Sequence, residues 1–178
     1  MGNNDIIRLA GESAAIEIAP LGATLYRFEV KVGDSWRSIV LSRPDKDTTV
    51  NTYLSATVGR YANRIGRAAF ELDGTRYRLD ANEPPNTLHG GSGGISEVIW
   101  DVVSATDTEV VLRHISPDGD QGFPGTLHIQ AAFKLLPGGA QVTYCATTDA
   151  PTVVNLTAHP YFNLAGQGTV DDHLLQVN

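Results

Sequence analysis

A chain of 178 residues is long enough to bury roughly two-thirds of its unfolded surface, so a single domain with a real core is the expectation. The formal charge of -7 repels a polyanion, and no segment interleaves Lys and Arg with aromatics, which excludes a nucleic-acid partner. With 42% hydrophobic residues, and 18 Gly and 9 Pro scattered between short apolar runs, the composition is that of a turn-rich globular protein rather than a disordered one.

In chain order, Met1-Gly2-Asn3-Asn4-Asp5 carries no basic stretch and Arg8 interrupts the apolar residues that follow, so neither a signal peptide nor a membrane span is expected. Period-two alternation begins at Ala15-Ile16-Glu17-Ile18 and recurs in Leu25 to Val30, Phe70-Glu71-Leu72, Tyr77-Arg78-Leu79, Val110 to Arg113 and Thr126 to Leu135, which predicts strands. Asp73-Gly74 between two such runs predicts a tight hairpin, because both residues tolerate positive φ. Gly138-Gly139 predicts a second. Two turn-rich loops, 81–96 and 116–125, are long for a compact β protein and are candidate functional loops. Cys145 lies in the apolar run Val142 to Ala146 and is expected in the core; as the single cysteine it forms no internal disulfide, which fits a reducing, cytoplasmic setting. Leu174-Leu175-Gln176-Val177-Asn178 reads as a strand running to the end of the chain. No window of a dozen residues sustains an amphipathic helical period, so the fold class is all-β, a large antiparallel sandwich or barrel without a visible domain boundary.

Polar residues gather in three segments beyond what a strand needs. Gly59-Arg60-Tyr61-Ala62-Asn63-Arg64-Ile65-Gly66 together with Arg67 supplies three guanidinium groups, each a fixed fork of donors suited to hydroxyl or carboxylate oxygens. A solvated or salt-bridged strand face satisfies the same pattern. Asn86-Thr87-Leu88-His89-Gly90-Gly91 places a histidine before two glycines that allow close backbone approach, although a loop histidine also serves as a simple capping residue. Asn155 to Leu164 holds His159 beside Pro160, Tyr161 and Phe162, either a polar tip on an apolar platform of the kind sugar faces require, or a satisfied histidine at a strand end. His114, His128 and His173 read as structural or exposed. No His or Cys spacing matches a metal site, and the GxSxG and phosphate-loop patterns are missing.

Taken together, GRYANRIGRAAFELDG, NTLHGG, SPDGDQGFPG and NLTAHPYFNLAG stand in the order found in the aldose 1-epimerase (galactose mutarotase) family, and the chain resembles the N-terminal half of its members. The resemblance implies a galactose mutarotase-like supersandwich, incomplete in residues 1–178, with the C-terminal half of the domain absent. It implies a mutarotase that interconverts the anomers of a free glucose- or galactose-like monosaccharide, with His159 as general acid, His89 as the second active-site histidine, and Asn63 and Arg64 as the pair that contacts sugar hydroxyls. It leaves Arg60, Tyr61, Arg67 and Asn163 as scaffold. No metal and no other cofactor is expected, since the reaction moves only protons. In the family the general-base glutamate and a sugar-gripping aspartate belong to the C-terminal half, and Glu83 and Glu97 match neither. The chain alone is therefore expected to be nearly inactive and to take the complementary half as a partner. Other readings are a non-catalytic carbohydrate-binding sandwich and a relative acting on hexose 6-phosphates, for which the Arg60, Arg64 and Arg67 cluster speaks.

Overall fold

The computed structural model describes residues 5–42 and 53–177. Two antiparallel four-stranded meanders carry most of the strand residues. The first runs in sequence order through β1 (Ile7–Ala10), β2 (Ala14–Ala19), β3 (Thr24–Val32) and β4 (Ser35–Ser38). Short ribbons follow, built from β5 (Thr57–Val58), β6 (Arg64–Ile65), β7 (Ala69–Leu72), β8 (Thr75–Arg78) and β9 (Thr87–Leu88). The second meander comprises β10 (Asp101–Ala105), β11 (Glu109–Ser116), β12 (Leu127–Leu136) and β13 (Gly139–Thr148), and β14 (Thr157–Ala158) returns to pair with β5. Among the described residues no helix is long and apolar enough to cross a membrane.

Alternation explains why the two meanders face each other. In β12, Leu127, Ile129, Ala131, Phe133 and Leu135 point inward while His128, Gln130, Lys134 and Leu136 point to solvent, as the two-residue period of a strand dictates. Those inward residues join Val110 and Leu112 of β11 and meet Leu9, Ala14, Ile16, Ile18 and Leu25 of the first sheet in one core. Full burial of each large aliphatic or aromatic side chain contributes about 1.5–3 kcal/mol. Trp100 closes one end, wholly buried, with its indole Nε1 donating to Ile95 O at 2.9 Å. The opposite face of the first sheet is solvated: Arg8 reaches Glu17 at 2.7 Å and Glu29 at 2.8 Å, and Arg27 lies beside the same two carboxylates.

The Asp73-Gly74 hairpin forms as predicted, with positive φ at both residues and Leu72 paired with Thr75. The second hairpin turns one residue earlier than expected. Leu136 pairs with Gly139, so Pro137 and Gly138 make the turn; proline presets the first corner and glycine takes the positive φ of the second. Cys145 is not a core residue: Val142 and Tyr144 are the β13 positions that pack inward, and strict alternation turns Cys145 outward. The expected strand at residues 174–178 is also not formed over its described part. Leu174, Leu175 and Val177 have no paired strand and are almost fully exposed.

Candidate active site

His89 and Asn63 are locked to one another by the β6–β9 ribbon, in which Arg64 pairs with Leu88. The His89 backbone N–H donates to Asn63 O at 3.0 Å, and the Asn63 backbone N–H donates to His89 Nδ1 at 3.0 Å. Because Nδ1 is an acceptor, the proton of the neutral ring sits on Nε2. Both residues have positive φ, 65° for Asn63 and 51° for His89, a conformation these two side chains tolerate better than most. Behind the ring, Gly90 (φ 88°) passes so close to Gly59 that a Cβ there would overlap the Gly59 carbonyl oxygen. Asn82 staples the same segment, accepting from Leu88 N at 2.7 Å and donating to Leu88 O at 2.9 Å.

His159 arrives from the other ribbon. Its backbone N–H donates to Ala56 O and its carbonyl accepts from Ser55 N, both at 2.9 Å, immediately beyond the β5–β14 pair. The His159 ring stands perpendicular to that of His89 with 5.2 Å between centroids, and stacks on Tyr161 at 5.0 Å. Tyr53 forms a third wall, 4.6 Å from His89 and 6.4 Å from His159. Partial burial lowers the His89 pKa below its ordinary value, and the neighbouring His159 and Arg64 lower it further against the opposing pull of Glu83. Near neutral pH His89 is thus an uncharged Nε2–H donor. Asn63 and Arg64 stand exposed at the rim, Arg64 Nη1 lying 3.3 Å from Asn63 Oδ1.

The four residues singled out in the sequence, His89, His159, Asn63 and Arg64, therefore occupy one neighbourhood, while the arginine cluster divides. Arg60 is 2% exposed and spends its guanidinium on Ser116 Oγ and the carbonyls of Ser116, Pro117 and Pro124, at 2.7–3.0 Å. Desolvation lowers its pKa, opposed by the carboxylates of Asp120, Asp118 and Asp149. It stitches loop 116–125 in place, and from that loop Gln121 Oε1 accepts from Gly93 N at 3.0 Å, bracing the glycine turn after His89. Asn163 is likewise structural, buried with its Nδ2 donating to the carbonyl of Gly168 at 3.1 Å. Arg64 is met by Glu83, which accepts from Nη2 at 2.7 Å and from Nε. Glu83 is weighed in the sequence and matched to no role, and Tyr53 is not singled out. The trace of Glu83 is its nearness to His89 in the sequence, with no motif around it, and Tyr53 leaves none.

The family model described as aldose 1-epimerase matches residues 5–178. The chain belongs to the aldose 1-epimerase family. It is 37% identical to the galactose mutarotase of Bos taurus over 97% of this chain and 52% of that protein. To the aldose 1-epimerase of Escherichia coli K12 it is 38% identical, over 88% of this chain and 46% of that one. The crystal structure of an aldose epimerase homologue from C. elegans superposes with a TM-score of 0.89 at 29% identity, over 94% of this chain and 53% of that chain. The chain thus spans about half the length of the family members it matches, and its two meanders form an incomplete galactose mutarotase-like sandwich.

Proposed function

We propose that this chain carries the acid and substrate-orienting side of an aldose 1-epimerase site acting on a free aldohexose such as glucose or galactose. The observation that carries the reading is the perpendicular meeting of His89 and His159, with the His89 proton placed on Nε2. His159, as the imidazolium, gives its proton to the ring oxygen as the bond from that oxygen to the anomeric carbon breaks. A base takes the proton of the anomeric hydroxyl, whose electrons close the aldehyde. Rotation about the first carbon–carbon bond and the reverse transfers deliver the other anomer. His89 donates from Nε2 to the ring oxygen, Asn63 and Arg64 Nη1 hold hydroxyls, and the ring faces of Tyr53 and Tyr161 line the sugar. Protons are the only species exchanged, so neither a metal nor a redox cofactor enters.

Glu83 is the carboxylate bonded into this site, and it is poorly suited as the base: Arg64 takes both its oxygens and holds its carboxyl below the ordinary range. We therefore place the base in a C-terminal half that completes the domain of which residues 1–178 are the N-terminal portion. Support comes from the half-length span of the match and from β13, a ten-residue edge strand with partly exposed Val142 and Tyr144 on its inner face. An edge of that length invites further strands. The exposed, unpaired Cys145 suits a reducing cytoplasm.

Polarimetry on freshly dissolved α-galactose tests the reading. The 178-residue chain should barely accelerate the approach to equilibrium, and adding the separately produced C-terminal half of a family member should restore the rate. A family-like rate from the chain alone overturns the placement of the base. Sugar binding without exchange between anomers in the reconstituted pair, read by NMR saturation transfer, favours a carbohydrate-binding module instead.

A further inference from the structure

An arginine presents two donor edges, Nε/Nη2 and Nη1/Nη2, and either can hold a phosphate or carboxylate with two parallel bonds. In this site a carboxylate already occupies the Nε/Nη2 edge. Glu83 takes both donors of Arg64, leaving Nη1 beside Asn63 Oδ1 at the rim of the histidine pair. Nor is Glu83 a loosely placed surface acid: its backbone N–H and carbonyl both bond Asn86, at 3.2 and 2.7 Å, across the Pro84-Pro85 tip. Asn86 Oδ1 in turn accepts from the backbone N–H of Arg67, so the turn is tied back to the chain that follows β6. The neighbouring cation of the cluster, Arg60, is buried and consumed by carbonyls, so it offers an anion nothing.

We infer that Glu83 sets the charge selectivity of this site, occupying one two-bond edge of Arg64 and placing its negative charge beside the other, so that the guanidinium offers Nη1 to a neutral hydroxyl and rejects sugars that carry a phosphate or carboxylate. The inference rests on reading the site as a sugar site. It adds a specificity residue from a segment that the sugar-contacting pair does not include. An anionic sugar would have to displace a built-in carboxylate from Arg64 or sit beside its negative charge, whereas a neutral sugar needs only a remaining donor.

The test is a titration of the 178-residue chain and of Glu83→Gln by inorganic phosphate, by galactose and by galactose 6-phosphate. It is read at the Arg64 Nε–Hε and Asn63 amide NMR resonances at constant ionic strength. Native protein should show no saturable response to phosphate. Glu83→Gln, which keeps the shape and loses the charge, should gain about tenfold or more in affinity for phosphate and galactose 6-phosphate, with galactose little affected. The gain should vanish in Glu83→Gln/Arg64→Gln and persist in Glu83→Gln/Arg67→Gln. Glu83→Asp, which keeps the charge on a shorter arm, gives a smaller gain and guards against misfolding of the first variant. Phosphate affinity in Glu83→Gln within a factor of about two of native overturns the inference, as does native protein that binds galactose 6-phosphate as tightly as galactose. Loss of galactose response in every protein refutes the sugar-site reading instead, while the phosphate arm still decides the role of Glu83.

Discussion

Replacing Arg60 by lysine keeps the charge and removes the fork. The guanidinium now satisfies four acceptors on loop 116–125 from three nitrogens: Ser116 Oγ at 2.9 Å, Ser116 O at 2.9 Å, Pro117 O at 2.7 Å and Pro124 O at 3.0 Å. A lysine ammonium donates from a single point, so it cannot span these positions, and two of the four acceptors would be left in a site that is 2% exposed. Each unsatisfied buried acceptor costs about 1–3 kcal/mol, which puts Arg60→Lys at about 2–6 kcal/mol of lost stability. The loss reaches the site through Gln121, whose contact with Gly93 depends on that loop, so the His89 ring resonances should shift as well. Urea unfolding at matched m-value measures the first effect and heteronuclear NMR the second. A loss below about 0.5 kcal/mol would mean that Arg60 is only one more polar group on a wet strand face.

Gly90→Ala forces a side chain against the Gly59 carbonyl at φ 88° and should cost about 2 kcal/mol or more, read as a lowered urea midpoint; a neutral result would show that the segment relaxes freely. The depressed pKa of His89 means that the unfolded chain binds its proton more readily, so this residue's contribution to stability is present above an unfolded pKa of about 6.5 and is lost as pH falls through the lower folded value. The difference in unfolding free energy between native protein and His89→Gln, followed from pH 7.5 downward, should therefore shrink; a difference that grows on acidification contradicts the assignment. Cys145, turned outward on β13, should react stoichiometrically with a thiol reagent in native buffer, and protection until denaturation would place it back in the core.

What the sequence disclosed followed from local periodicity and turn chemistry. β12 was legible because five apolar residues alternate with His128, Gln130, Ala132 and Lys134, and the Asp73-Gly74 turn because the pair itself favours positive φ. Cys145 was misplaced because an apolar run does not declare its phase; Tyr144, whose hydroxyl bonds Thr57 Oγ1 and is pushed by burial up to about 12, is the residue that turns inward. The buried state of Arg60 was illegible for a different reason, since its partners lie more than fifty residues away and only the fold brings their carbonyls to it. Glu83 and Tyr53 belong to the same class: each acquires meaning from a side chain whose position depends on a ribbon pairing of two residues, too short for any pattern to announce.

That shortness also explains how the two histidines keep their spacing. A single segment, residues 57–65, serves as the template for both: β5 registers Thr157-Ala158 and hence His159, and β6 registers Thr87-Leu88 and hence His89. Between them, Arg60 O accepts from Asn155 N and Asn155 O accepts from Ala62 N, each at 2.8 Å, so the chain leading to His159 follows the template on both sides of Tyr61. Arg60 supplies the third attachment, to loop 116–125. The 5.2 Å separation of the rings is thus set by backbone pairing to one strand-like spine rather than by direct contact between the histidines. Substitutions within 59–63 should consequently disturb both rings together, whereas a change at Asn82, which holds Leu88, acts on the His89 side and a change at Glu83 acts first on the Arg64 rim.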